Sequence, residues 1–398
     1  MMFSSLFRAS GTARCFSKAA FKSRNSSNFV VLGIETSFDD TGCAIVNSNG
    51  DILGEALRSQ QAFHSLLGGC LPPIARDLHV ECIESVIDEA FASAKLSLSD
   101  IDAVATSVKP GLAISLQVGL DHGKRLSKQG QKPFIPIHHM EAHALTARMI
   151  QKDVELPQIF LLGTAMDAAP GETMDKLARR MQLRNRPELR NISGGRAIEL
   201  LAEKGDPTKF EFSMPLQGDQ SCNFSWGGLR TTCQNTFRTR FEERFMYLDV
   251  DEIIPEIDDL CASLQAAICK HLCTRLQRAM EYANRHNILP SGKTLVLSGG
   301  VACNGAVKKC VGMLCDEMEY RLVVPPPHLC TDNGVMIAWN GVERFQVGAG
   351  VIHNPEEIDA VAVESKAPLG EDCRQAVEKE RISVNQKNRI RVEKALLK

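Results

Sequence analysis

The feature that most constrains the fold is the spacing of short apolar runs between residues 29 and 137. Phe29–Glu35 (FVVLGIE) reads as a buried strand. A polar turn follows, Thr36-Ser37-Phe38-Asp39-Asp40-Thr41-Gly42, and Cys43–Val46 returns as a second strand. The tight turn Asn47–Asp51 leads into a third, Ile52–Arg58. Helical periods then alternate with strands. Leu78, Cys82, Val86, Ala90 and Ala94 mark one stripe of a helix over Ile74–Lys95. Ile101–Ser107 and Pro133–Ile137 are strands, and Ala113–Ser127 between them is a helix. The order βββαβαβα predicts a parallel sheet with helices on its faces. In such a sheet ligands bind beyond the carboxyl ends of the strands.

The loops at those ends carry the candidate chemistry. His139 and His143 lie four apart in His138-His139-Met140-Glu141-Ala142-His143, directly after a strand. On a helix they share one face, and two neutral imidazoles there can hold one divalent cation. The same spacing also suits polar residues on a wet helix face. The turn Thr36–Gly42 offers hydroxyls and amides to phosphate, and carboxylates to a hydrated cation.

The second half shows a single strand-like run, Ile159–Gly163, then helices over Thr173–Met181 and Arg196–Lys204. Asn223–Leu229 reads as turn-rich, and a long helix runs from about Asp258 to Arg285. Strands at Thr294–Leu297 and Arg321–Val324 precede the loops Ser298–Asn304 and Cys330–Gly334, each opening a helix. Gly299-Gly300 would let backbone amides approach a phosphate or ribose closely. Asp332 reads either as a helix N-cap or as a third ligand beside the two histidines. In the second case the cation would bridge two lobes, taking imidazoles from the first and a carboxylate from the second.

A length of 398 residues favours two domains. The expected divisions are a leader at 1–28, a first α/β lobe at 29–153, a second at 154–352 and a polar, loosely held tail at 353–398. No apolar run is long enough to span a bilayer, so no membrane partner is expected. The 14 cysteines contain no Cys-x-x-Cys pair, which fits buried thiols in a reduced compartment. The leader holds Arg8, Arg14, Lys18, Lys22 and Arg24 with many serines and no acidic residue. That is the composition of a mitochondrial transit peptide. Without those five cations the formal charge goes from −2 to −7. An acidic mature chain must meet nucleic acid through a local basic patch.

The segments GIETSFDDTG, KPGLAISLQVGL, HHMEAH, MDAAPGETMDK, FSWGGL, SGGVACN and CTDNGVMIAWNG follow one another over nearly the whole mature chain. Through them the chain resembles the organellar tRNA N6-adenosine threonylcarbamoyltransferases, of the actin, sugar-kinase and heat-shock chaperone ATPase fold. The resemblance implies a two-lobed α/β protein. It implies transfer of threonylcarbamoyl from threonylcarbamoyl-adenylate to N6 of the adenosine next to the anticodon, with release of AMP. The tRNAs would be mitochondrial ones reading codons that begin with A. It makes His139, His143 and Asp332 ligands of one divalent ion per subunit, whether zinc, iron or magnesium. Asp175, Gly195, Glu199 and Asn304 match nucleotide-binding positions, and Thr331 is a further contact. By spacing alone Asp175 and Glu199 would be solvated helix charge.

No serine or cysteine stands beside an evident base, so direct transfer is expected, without a catalytic nucleophile. For tRNA docking the candidates are Arg179, Arg180, Arg184, Arg186 and Arg190, with Arg238, Arg240 and Arg244 as a second patch. The protein would be a monomer or a homodimer.

Relatives in the family carry a hairpin with a Ser-Gly-Gly-His turn after the histidine helix. Here Pro157-Gln158 runs straight into Ile159–Gly163. The second lobe is therefore expected to lack its first two strands, exposing a sheet edge and removing part of the substrate cradle. This form would then be poorly folded or weakly active. Lys109 also stands where glycine is commoner. Three rival readings remain. An ATP-dependent small-molecule kinase of the same fold leaves His139 and His143 unexplained. A metalloprotease needs His-Glu-x-x-His, whereas Glu141 stands two places after His139. A non-catalytic tRNA- or nucleotide-binding form is the third.

Overall fold

Val31, Leu32 and Ile34 are completely buried, and the strand that carries them lies at the centre of the molecule's main sheet. The computed structural model describes residues 28–67, 70–154, 159–245, 256–289, 292–384 and 392–397. The proposed leader lies outside the described residues apart from Asn28. Strands β1 (Val30–Glu35), β2 (Asp40–Asn47), β3 (Ile52–Ser59), β4 (Ala103–Lys109) and β5 (Phe134–His138) form the sheet in the order β3-β2-β1-β4-β5. It is mixed rather than parallel throughout. The hairpin strands β1–β2 and β2–β3 pair antiparallel, while β1–β4 and β4–β5 pair parallel. Tight turns join the first three strands, and a tight turn reverses direction.

Helix α1 (Gln61–Leu67) precedes α2 (Pro72–Ala94), which shares one face of the sheet with α3 (Ala113–Gly130). On the other face lie α4 (His139–Ile150) and, from far along the chain, α11 (Gly334–Val347). Alternation along β1 supplies both layers: Leu32 and Ile34 face α2, while Val31 faces α11.

Glycines set how close α11 comes. A Cβ on Gly33 would lie 2.2 Å from Ala338 N, and one on Gly334 would lie 2.4 Å from the Cys43 carbonyl carbon. Backbone thus rests on backbone. The helix that follows Asp332 belongs to the first layer, and the expectation of a carboxylate from the second lobe needs correction.

The second half is chiefly helical. Helices α5 (Pro170–Arg180), α6 (Gly194–Ala202), α7 (Trp226–Phe245) and α8 (Ile257–Arg285) enclose a core that includes Leu177, Ile198, Leu229 and Leu264. Helix α9 (Gly305–Met318) packs on α8 through Cys269, Cys273, Cys310 and Leu314. Among the described residues one strand, β6 (Phe160–Leu161), precedes α5. Among the described residues the strands of this half form two ribbons: β7 (Thr294–Val296) pairs with β8 (Arg321–Val323), and β6 pairs with β9 (Glu371–Asp372). Residues of β6 and β7 are only half-buried, unlike those of β1.

Two expectations fail. Asn223–Leu229 is not merely turn-rich: helix α7 starts inside it, at Trp226. Asp167 Oδ1 accepts from the amides of Trp226 (2.9 Å) and Gly227 (3.0 Å), which offsets the cost of the two glycines. Nor is the polar tail loose. Ile352 exchanges backbone hydrogen bonds with Phe134, Ile358 enters the first core, and Val377 and Ile382 pack beside Tyr282. After α10 (Pro327–Cys330) and α11, this tail contributes α12 (Pro355–Ala360), α13 (Arg374–Lys379) and α14 (Val392–Leu396). Among the described residues no helix is long and apolar enough to cross a membrane.

Candidate metal and nucleotide site

The sequence His138-His139 ends β5 and begins α4, so the histidine pair lies at the carboxyl edge of the main sheet. One turn apart, the two rings meet nearly perpendicular, with centroids 4.7 Å apart. Asp332 sits just ahead of α11, which the glycine contacts press against β1 and β2. Its Oδ1 lies 3.0 Å from His143 Nε2 and 3.5 Å from His139 Nε2. Ligand atoms of all three residues fall within 4.8 Å of one another. Asn333, not Asp332, caps α11, accepting from the Met336 amide at 2.8 Å. The alternative reading of Asp332 as the N-cap is thereby removed.

The second nitrogen of His139 is also held. Nδ1 lies 3.2 Å from Glu35 Oε2 and 3.0 Å from Ser37 Oγ. Glu35 is fully buried at the end of an otherwise apolar strand. A carboxylate behind a histidine fixes the ring and its tautomer, leaving Nε2 as the donor for a cation. Burial alone would lower the His139 pKa, yet the carboxylates of Asp332 and Glu35 raise it to about 9. Burial pushes Asp332 up, but the two imidazoles more than offset this and hold it at about 2. The donor set, two imidazoles and one carboxylate converging with a carboxylate behind one ring, fits a divalent ion.

Other predicted residues divide differently. In the Thr36–Gly42 turn, hydroxyls offered to phosphate are already engaged. Thr36 Oγ1 donates to Ser115 O at 2.9 Å, Ser37 bonds His139, and Thr41 meets His79 Nδ1 at 2.7 Å. The carboxylates of that turn remain. Burial raises Asp39 to about 6, with repulsion from Asp332 and Asp175 adding to it. Asp175 Oδ1 accepts from Gly194 N at 2.7 Å, joining α5 to the start of α6. Gly195 follows there, half-buried. Glu199 is buried and accepts from Gly305 N at 2.6 Å, at the start of α9. Asn304 caps α9 on the Val307 amide, while its Nδ2 donates to Gln265. Gly299 has φ +95°, a left-handed backbone that favours glycine, and no atom lies within 4 Å of a built Cβ there or at Gly300. Thr331 is exposed beside Asp332.

Among the arginines, Arg179, Arg180 and Arg190 are exposed, and Arg184 is half-buried. Arg186 pairs with Asp258 at 3.7 Å. Of the second patch, Arg238 is exposed, and the side chains of Arg240 and Arg244 lie outside the described residues. Glu141, which a peptidase would need as a base, pairs instead with Arg344. Glu35 and Ser37 were missed from sequence. The available signal was a charged residue ending an apolar strand in GIETS.

The sequence profile of the tRNA N6-adenosine threonylcarbamoyltransferases matches residues 51–163 and 154–339. The chain belongs to this family. It is thus a transferase, and neither the kinase nor the non-catalytic reading is favoured. The two matched segments overlap at 154–163. The mitochondrial tRNA N6-adenosine threonylcarbamoyltransferase of Mus musculus is 42% identical over 376 residues, covering 89% of each chain. That of Danio rerio is 42% identical, covering 94% of this chain and 96% of its own. The Homo sapiens enzyme is 41% identical, covering 90% of each. Among solved structures, component A of the (R)-2-hydroxyglutaryl-CoA dehydratase of Acidaminococcus fermentans aligns with TM-score 0.42 and 14% identity, over 79% of this chain and 98% of that one.

Proposed function

We propose that the chain transfers threonylcarbamoyl from threonylcarbamoyl-adenylate to adenosine N6 in mitochondrial tRNA, at the edge of the main sheet. The convergence of His139, His143 and Asp332 on one point carries this reading. A divalent ion held by those residues would act as a Lewis acid toward the phosphate and carbonyl of the mixed anhydride. Two imidazoles favour zinc or iron over magnesium, which prefers oxygen ligands.

The chain's own groups supply position and charge. Glu35 and Ser37 hold the His139 ring, and Gly299-Gly300 leaves space for a close backbone approach. Asp175 keeps an exposed carboxylate suited to ribose hydroxyls. Glu199 and Asn304 are buried and bonded to the start of α9, the helix that follows the glycine loop. The thiols of Cys261 and Cys269 are raised well above their ordinary range by burial or by a neighbouring thiol, so neither is a nucleophile. Direct attack of the exocyclic amine on the activated acyl group needs no side-chain nucleophile, because the mixed anhydride already carries a good leaving group. The basic leader and the relatives' names support a mitochondrial address.

The test is mass analysis of tRNA nucleosides after incubation with threonylcarbamoyl-adenylate, with and without added zinc or ferrous ion. Metal-dependent threonylcarbamoyladenosine with AMP release is the expected result. A trapped acyl-enzyme would overturn direct transfer, and absence of product from a folded protein would overturn the assignment.

A further inference from the structure

Away from the metal ligands, helices α5 and α7 enclose a cleft of about 530 Å3. Its lining is Lys176, Arg179, Arg180, Gln182, Arg230 and Gln234. Four of these six are cations and none is a carboxylate. Helical spacing explains the gathering. Lys176, Arg179 and Arg180 stand at i, i+3 and i+4 on α5, and Arg230 and Gln234 stand at i and i+4 on α7. The leading face of α7 therefore completes the cation set of α5. The mature chain is acidic, so such a concentration is a local exception. Glu172, one turn before Lys176, pairs with it from outside the lining. Two amides, Gln182 and Gln234, add neutral hydrogen-bonding groups to the rim.

The cleft has a place relative to the site. Lys176 directly follows Asp175, the candidate ribose contact, and the charge of Arg184 also reaches Asp175. A nucleic acid that offers one base to the site must lay its flanking backbone on the surface nearby. Guanidinium forks match phosphate oxygens in pairs, and a lysine adds a point charge. Phosphate contacts of this kind position a strand without reading its sequence.

We propose that the α5–α7 cleft is a phosphodiester receptor that seats the tRNA backbone beside the modified nucleotide, with Lys176 and Arg230 as its two walls. This rests on the reading of the protein as a tRNA-modifying enzyme. It brings in Lys176 and Arg230, which a run of arginines in the sequence does not mark.

The experiment is fluorescence anisotropy of labelled tRNA with the full chain, from about 50 to about 200 mM salt. The proteins compared are wild type, Lys176→Gln, Arg230→Gln, the double variant and Arg230→Lys. Each neutral variant is expected to lower the slope of log K against log salt by about one, and the double by about two. The loss should be equal for different tRNAs, and Arg230→Lys should keep the wild-type slope, which excludes misfolding as the cause. Wild-type binding with unaltered affinity and slope in the neutral variants overturns the cleft alone. Saturation by inorganic phosphate without any effect on tRNA binding also overturns it. A wild type that neither binds nor modifies tRNA overturns the underlying reading, and the cleft with it.

Discussion

Glu35 Oε2 lies 3.2 Å from His139 Nδ1, behind the face on which Asp332 and His143 converge. The two residues are 104 positions apart, yet both stand at the carboxyl edge of one sheet: Glu35 closes β1, and His139 opens α4 directly after β5. The strand's last side chain therefore orients the helix's first. Removing such a partner typically costs about 10- to 100-fold in metal affinity. Glu35→Gln should weaken zinc or iron binding in that range while leaving a folded protein. A chelator-competition titration measures it. Undiminished affinity would show that the ring is held by other means, with Ser37 the first candidate.

Asp332 tests the ligand set itself. A ligand that binds only the folded state stabilises it by about 2.7 kcal/mol at a hundredfold excess over Kd. Added metal should raise the wild-type Tm by several degrees and should leave Asp332→Asn nearly unmoved. Differential scanning fluorimetry with and without metal gives the comparison. An equal rise in both proteins would place the ion elsewhere.

The close seat of α11 makes a stability prediction. A Cβ on Gly33 would fall 2.2 Å from the Ala338 amide nitrogen, and helix backbone cannot swing aside as a flexible side chain can. Gly33→Ala should cost at least the roughly 1–3 kcal/mol of ordinary overpacking. Because α11 follows Asp332, metal affinity should fall with stability. Chemical denaturation and metal titration on the same protein would check the coupling. An unshifted midpoint would mean that the helix sits farther out.

These features show where the sequence was readable. The first five strands and α2 to α4 are written in local periods of two and 3.6, and they form within a few residues of expectation. The convergence of His139, His143 and Asp332 was legible because the two histidines are neighbours on a helix and CTDNG is a distinct motif. Glu35 was not, since its role exists only after β1 and β5 join one sheet. Helix α7 was hidden because Asp167, far upstream, caps a start that two glycines disfavour locally. The seat of α11 on the first layer and the docking of Ile358, Val377 and Ile382 are tertiary facts without periodic signal.

A pH dependence follows from His271. Burial lowers its pKa to about 4, the Arg275 charge adds to this, and Asp167 offsets part of it. The ring packs against Phe224 and Trp226, and Nε2 accepts from Ser225 N at 3.2 Å. The folded protein keeps the imidazole neutral, whereas the unfolded chain takes a proton below its ordinary value of 6.5. Stability from this residue is fully present above pH 6.5, falls as the pH drops toward about 4, and levels off below that. Tm measured across this window should fall more steeply in wild type than in His271→Gln, which keeps an acceptor but does not titrate. Parallel curves would mean that the ring titrates freely in the folded state.

Residues of β6 and β7 are half-buried, and their strands form separate two-stranded ribbons, whereas strand β1 of the main sheet is buried along most of its length. A two-stranded ribbon contributes little stability alone, and an open edge invites pairing with another chain. Inserting after Gln158 the two-stranded hairpin that the resemblance implies would supply two strands to cover Ile159–Gly163. The longer protein should melt higher, by roughly 2–4 °C for each kcal/mol gained. It should aggregate less on heating and form more threonylcarbamoyladenosine per mole of protein. Metal affinity should stay the same, because His139, His143, Asp332 and Glu35 all rest on the first sheet. Light scattering, Tm and nucleoside mass analysis of the two forms decide the matter. Equal melting and equal product would show that the added strands are dispensable, and a change in metal affinity would show that they are coupled to the first sheet.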